Sequence, residues 1–281
     1  MTTRMTVQRL IRLVEAGDLG AVRAAVAEAP RLLAGTVERA GESGWTPLHV
    51  AVACGQAVAV RDLAAAGADL GARTESGRTP LHVAVLEAPD LVPLLGELGA
   101  PVDAPAAAYL DDTARLSALL DGGAALTDPV TGLDLLTVAA AGGAAGALRL
   151  LLERGADPDG GALAAAAAAR RPDLVRALLD AGARADRRDP DTGRTALHDA
   201  VSAGTPAGAP AGPGTGPESD APEVVRLLLA AGADVDATTS DGASALDISR
   251  VAAARHRRDD AGRAGARDAL VDLLVAAGAS S

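Results

Sequence analysis

Gly44-Trp-Thr-Pro-Leu-His-Val-Ala-Val52 recurs as Gly77-Arg-Thr-Pro-Leu-His-Val-Ala-Val85, an offset of 33 residues. Repetition at that spacing means that the chain is built from copies of one small unit, which buries its apolar face only by stacking on its neighbours. Thr46 and Thr79 stand where a hydroxyl can cap a helix, and Pro47 and Pro80 take the first helical position, where no N–H is missed. Apolar residues then follow at helical spacing. A second helix is predicted where the apolar stripes of Leu148–Gly155 and Val224–Gly232 end at a glycine suited to a left-handed cap. Asp69, Asp157 and Asp234 follow such glycines and can bond turn backbone, after which the chain leads into a projecting finger.

A second marker, a Leu- or Ala-rich run ending in Gly-Ala, occurs at Gly67, Gly99, Gly123, Gly155, Gly182, Gly232 and Gly278. Its intervals are 32, 24, 32, 27, 50 and 46 residues. A unit of about 33 residues, entered by Thr-Pro-Leu-His and built as turn, helix, helix and return loop, resembles the ankyrin repeat. The resemblance covers nearly the whole chain and implies an all-α solenoid of eight helix pairs with projecting fingers. These pairs are Val7–Leu33, Thr46–Gly67, Thr79–Gly99, Ala106–Gly123, Asp134–Gly155, Ala162–Gly182, Thr195–Gly232 and Ser244–Gly278.

Departures from the period fall in loops, where a repeat tolerates them. The 24-residue interval predicts that the unit at Ala106–Gly123 lacks its finger and the entry to its first helix. The 27-residue interval deletes the finger before the Ala-rich helix at Ala162–Ala169, the weakest unit because alanine contributes little burial. The 50-residue interval holds a Pro/Gly-rich stretch, Thr205–Asp220, that reads as a flexible loop. The expectation is one domain over residues 1–281, with capping units at 1–43 and 241–281 and repeats over 44–240.

Composition supports a thin core: 49% of the chain is hydrophobic, yet Phe is absent and the only aromatics are Trp45 and Tyr109. No apolar run approaches the roughly 18 residues of a membrane span, and no apolar h-region follows the amino terminus, so a cytoplasmic protein is expected. All 26 basic residues are Arg, against 37 acidic ones; the net charge of −11 argues against nucleic acid or anionic lipid as a partner. Arg without Lys, amid so much Ala, is the pattern of a GC-rich bacterial gene. A single cysteine, Cys54, and four scattered histidines offer no disulfide and no Cys-zinc site, and no metal or cofactor is expected.

The remaining chemistry is sparse. The resemblance implies that His49, His82 and His198 bond loop and turn backbone. Asp199 beside His198 is a poor acid–base pair because adjacent helical residues point in different directions. The glycine-rich stretches match neither a phosphate loop nor a dinucleotide fingerprint. Asp111-Asp112 and Asp259-Asp260 read as helix starts and solvated turns, and Arg187-Arg188 and Arg255–Arg258 as solvated face, although an acidic partner could meet them.

The resemblance implies partner binding through finger tips and the exposed side of the first helices. Trp45 occupies the finger position between Gly44 and the capping Thr46, and Tyr109 falls late on the first helix of its unit. Both are therefore expected on the concave face as interface anchors. The alternative is that Trp45 packs on the preceding finger and Tyr109 fills the gap left by its deleted one. Arg78, Leu133 and Arg194 share the position of Trp45, and Leu86 with Glu87 stands near that of Tyr109. This mixed stripe suits a protein partner. The reading is a monomeric, non-enzymatic interaction module or scaffold. A regulatory subunit masking an enzyme or toxin is the alternative, and a hydrolase-type enzyme is less favoured because the repeats leave no spare domain.

Overall fold

The computed structural model describes residues 5–39, 41–130, 132–202, 220–256 and 261–279, the side chains of 253–268 excepted. Among them the helices come in eight pairs, as the repeat spacing predicts. The first four are α1 Val7–Glu15 with α2 Leu19–Glu28, α3 Pro47–Ala53 with α4 Ala57–Ala65, α5 Pro80–Glu87 with α6 Val92–Glu97, and α7 Ala104–Tyr109 with α8 Thr113–Asp121. The next four are α9 Leu135–Gly142 with α10 Ala145–Glu153, α11 Ala162–Ala168 with α12 Pro172–Asp180, α13 Ala196–Val201 with α14 Ala221–Ala230, and α15 Ala245–His256 with α16 Ala261–Ala276. One antiparallel hairpin, β1 Val37–Arg39 and β2 Glu42–Trp45, forms the finger ahead of α3. Residues 205–219 of the predicted flexible loop, and the side chains of Arg255–Arg258, lie outside the described residues.

Contacts gather the chain into two units, one of Met1–Ala106 with Asp128–Gly132, the other of Ala107–Thr127 with Leu133–Ser281. In the first unit α1, α3 and α5 pack side by side, and α2 packs on α4. In the second, α9, α11, α13 and α15 make one layer and α8, α10, α12, α14 and α16 the other. Leucines such as Leu48, Leu81, Leu135 and Leu174 are fully buried between layers. The alanines of α11 let it lie close against both α9 and α13, so density is kept without rings.

The first helices α3, α5 and α13 begin with the same device, a threonine and a histidine that cap each other. The Thr46 hydroxyl accepts from the His49 backbone N–H at 3.4 Å, while His49 Nδ1 lies 2.8 Å from the hydroxyl and accepts from the Thr46 N–H at 3.3 Å. His49 Nε2 then reaches the Arg78 carbonyl in the next finger at 3.1 Å. A carbonyl can only accept, so the proton sits on Nε2 and the ring is neutral. His198 repeats the arrangement between Thr195 and the Ala243 carbonyl, 3.3 Å away. At His82 the following finger is deleted, and carboxylates face the ring instead: Asp103 3.2 Å from Nδ1 and the buried Asp128 3.7 Å from Nε2.

Both predicted finger deletions are present, since residues 98–103 alone join α6 to α7 and residues 154–161 alone join α10 to α11. The expectation that the unit at Ala106 has lost its helix entry is corrected. Asp103 accepts from the Ala106 N–H at 3.2 Å and so caps a helix that starts at Ala104, a carboxylate standing in for the usual Thr.

Two glycines mark where backbones meet. Gly44 has φ of +90°, and a Cβ there would stand 2.9 Å from Thr74 Cα, because the Ser43 carbonyl accepts from the Glu75 N–H at 3.0 Å and draws successive fingers together. At Gly142 a Cβ would stand 2.4 Å from the Tyr109 carbonyl oxygen.

Helix propensity alone would favour Gly142→Ala by about 1 kcal/mol. The backbone contact reverses the sign, and the substitution is expected to cost about 2 kcal/mol, read as a lower urea midpoint; a stabilised variant would refute the contact. Stability should also respond to pH. Burial holds His49 below its usual range against the backbone carbonyls and Glu42 that favour its charge, and burial with Arg194 and Arg188 does the same for His198. A depressed folded pKa means that the unfolded chain takes up the proton first, so stability is retained above about pH 6.5 and falls as the pH drops below it. Thermal midpoints between pH 8 and 5.5 should be flat and then decline; a rise on acidification would contradict the neutral rings.

Candidate partner-binding surface

The first unit carries a cluster built around Trp45. The β1–β2 hairpin turns at Gly41 and pairs Trp45 with Val37. The indole then lies between two guanidinium groups, Arg39 at 5.1 Å and Arg78 at 5.3 Å from its centroid, with the His49 ring edge-on at 5.9 Å. Glu42 ties the cluster together. Its carboxylate accepts from Trp45 Nε1 at 3.3 Å, from the Arg78 guanidinium, and from the Ser76 N–H at 3.2 Å and hydroxyl at 2.5 Å. Burial would raise the Glu42 pKa, but these donors outweigh it and bring it down to about 2.

Trp45 is therefore not an exposed anchor. It is 2% exposed, because Arg78, which holds the same place in the next finger, covers it. Tyr109 is likewise corrected: it ends α7 at 4% exposure, with Gly142 of α9 against its backbone. Both rings are framework.

The other candidates have distinct surroundings. Leu86, on α5, is 40% exposed, and the exposed Glu87 beside it faces Arg78 at 3.9 Å. Arg78 thus joins Trp45, Glu42 and Glu87 into one network in the first unit. In the second unit Leu133 is half-buried, ahead of α9. Arg194 straps α13, donating to Asp199 at 2.7 Å, to the His198 carbonyl at 3.0 Å and to the Ser202 hydroxyl at 2.5 Å. Burial pushes the Asp199 carboxyl up, against the pull of Arg194.

Arg39 and Glu42 escaped the sequence reading. The signal was Gly41, a turn residue between two charges that a hairpin would bring beside Trp45. His198 and Asp199 are not paired with each other: His198 faces Thr195 and Ala243 while Asp199 faces Arg194. Cys54 is exposed, partial burial raising its thiol pKa despite Arg39, and His49 has both nitrogens engaged elsewhere. Among the described residues no group of three or more His, Cys, Asp or Glu is placed to hold a metal ion. None of the described helices is long and apolar enough to cross a membrane.

A family model described as ankyrin repeats in three copies matches residues 10–106 and 136–210, and one for a single ankyrin repeat matches 192–240. No curated protein matches the sequence. Ankyrin repeats generally mediate protein–protein interaction. The capped helix pairs, the histidine bridges between fingers and a match extending over more than half of the residues lead to one conclusion: the chain belongs to the ankyrin repeat family.

Proposed function

We propose that the chain is a monomeric, non-enzymatic module that binds a partner protein through its fingers and the exposed sides of its first helices. The observation that carries this reading is Leu86, a large apolar side chain 40% exposed on a rigid helix and bordered by Glu87 and Arg78. An apolar centre with a charged rim is the usual anatomy of a protein interface. Fingers fixed by Glu42 and His49 present it pre-organised, so little ordering entropy opposes association. Leu133 and Arg194 extend the same role to the second unit. Trp45 and Tyr109 contribute indirectly, by holding the surfaces in place.

The test is affinity capture from an extract of the source cells with the wild type and a Leu86→Ala/Glu87→Ala double variant, folding checked by circular dichroism. A partner held at least about tenfold more weakly by the folded variant is expected, the loss typical of central interface residues. Equal retention would exclude this face. Trp45→Ala should behave differently, losing about 3 kcal/mol of stability in urea as a buried ring does; an unchanged midpoint would return Trp45 to the surface.

A further inference from the structure

Successive fingers are joined through their backbones. In the first unit the Ser43 carbonyl of β2 accepts from the Glu75 N–H of the next finger at 3.0 Å, and in the second unit the Thr192 carbonyl accepts from the Ser240 N–H at 2.8 Å. β1, on the other side of its hairpin, is left as an edge. β1 and β2 pair Arg39 with Glu42 across the turn at Gly41, so the N–H and C=O of Arg39 point to β2. Those of the preceding residue, Glu38, point away, and neither makes a backbone hydrogen bond among the described residues.

This edge is held firmly in place. Gly35, ahead of β1, lies against α1, where a Cβ would stand 2.8 Å from Val7 Cγ2, and Gly41 makes the turn at φ of +81°. Arg39 stacks on Trp45 at 5.1 Å, and Val37 pairs with Trp45 across the hairpin. An incoming strand therefore meets a preformed template, and little ordering entropy on this side opposes pairing.

The side chain of Glu38 decides which strand fits. It is exposed, and its carboxylate makes no ion pair among the described residues. A carboxylate here guards the edge against a second copy of the chain, because two β1 strands paired about Glu38 would set like charges opposite each other. It favours a strand with Lys or Arg at the facing position, in keeping with the net charge of −11. We propose that β1 docks an extended segment of the partner protein, which pairs backbone to backbone with Glu38 and sets a Lys or Arg against its carboxylate. Main-chain bonds then supply affinity, and the facing side chains supply specificity. The proposal rests on the protein-binding reading and adds to it a contact read through the backbone of the first finger.

The test is nuclear magnetic resonance of the ¹⁵N-labelled full chain, following the Glu38 amide during titration to millimolar peptide. The probe is acetyl-Thr-Val-Lys-Val-Thr-amide. It should move the Glu38 N–H signal downfield to saturation and protect it from hydrogen exchange. Methylating the backbone nitrogen of the probe's lysine removes the facing donor and should weaken binding about tenfold. Glu in place of that lysine should weaken it about threefold. In Glu38→Lys the preference should reverse, the Glu peptide binding more tightly than the Lys peptide, while an unchanged Trp45 indole signal reports an intact finger. A Glu38 signal that does not move, equal binding of the N-methylated peptide, or an unchanged preference in Glu38→Lys would overturn the proposal. If partner capture succeeds and the Glu38 signal stays silent, the edge fails and the binding module stands. Saturation at Glu38 in a chain that captures no protein would uphold the strand site and remove the binding module.

Discussion

A neutral imidazole, buried at the start of a first helix and hydrogen-bonded at both nitrogens, is the constraint on which the repeats depend. Nδ1 must meet the capping threonine, and Nε2 must donate to a carbonyl of the following finger, as His49 does to Arg78 and His198 to Ala243. One side chain therefore fixes a helix start and the position of its neighbour together. Where the neighbour is missing, the histidine is met by acids, and Asp128 and Asp103 stand at the ring of His82. The buried ring still has polar company, as a group so far from water requires.

A second economy follows from the shortage of aromatic rings. With leucine and alanine filling the core, helix layers close up through small residues, as Gly142 does on the backbone of Tyr109. The single indole is spent on cohesion: Trp45 is held between Arg39 and Arg78, and Glu42 pairs with Arg78 and accepts from the indole N–H. Two rings that would ordinarily mark an interface are consumed as framework. The proposed function therefore falls to exposed aliphatic and charged side chains such as Leu86 and Glu87.

The repeat, its helix caps and both shortened fingers were legible in the sequence because each depends on local rules. Threonine before proline starts a helix, glycine after an apolar stripe ends one, and a missing finger shortens the interval between markers. The helix entry at Ala104 was not legible, because Asp103 caps it without the family motif. The pairing of Arg39 and Glu42 with Trp45 was hidden for a related reason: a hairpin brings together side chains that no helical spacing relates.

The sequence by itself determined which segments become helices, where they begin and stop, and that they stack as ankyrin repeats, since those outcomes follow from propensity, capping and period. Only the tertiary structure decided which side chains remain free to meet a partner. Exposure at equivalent repeat positions depends on what the adjacent repeat supplies. The same finger position buries Trp45 beneath Arg78 and commits Arg194 to Asp199.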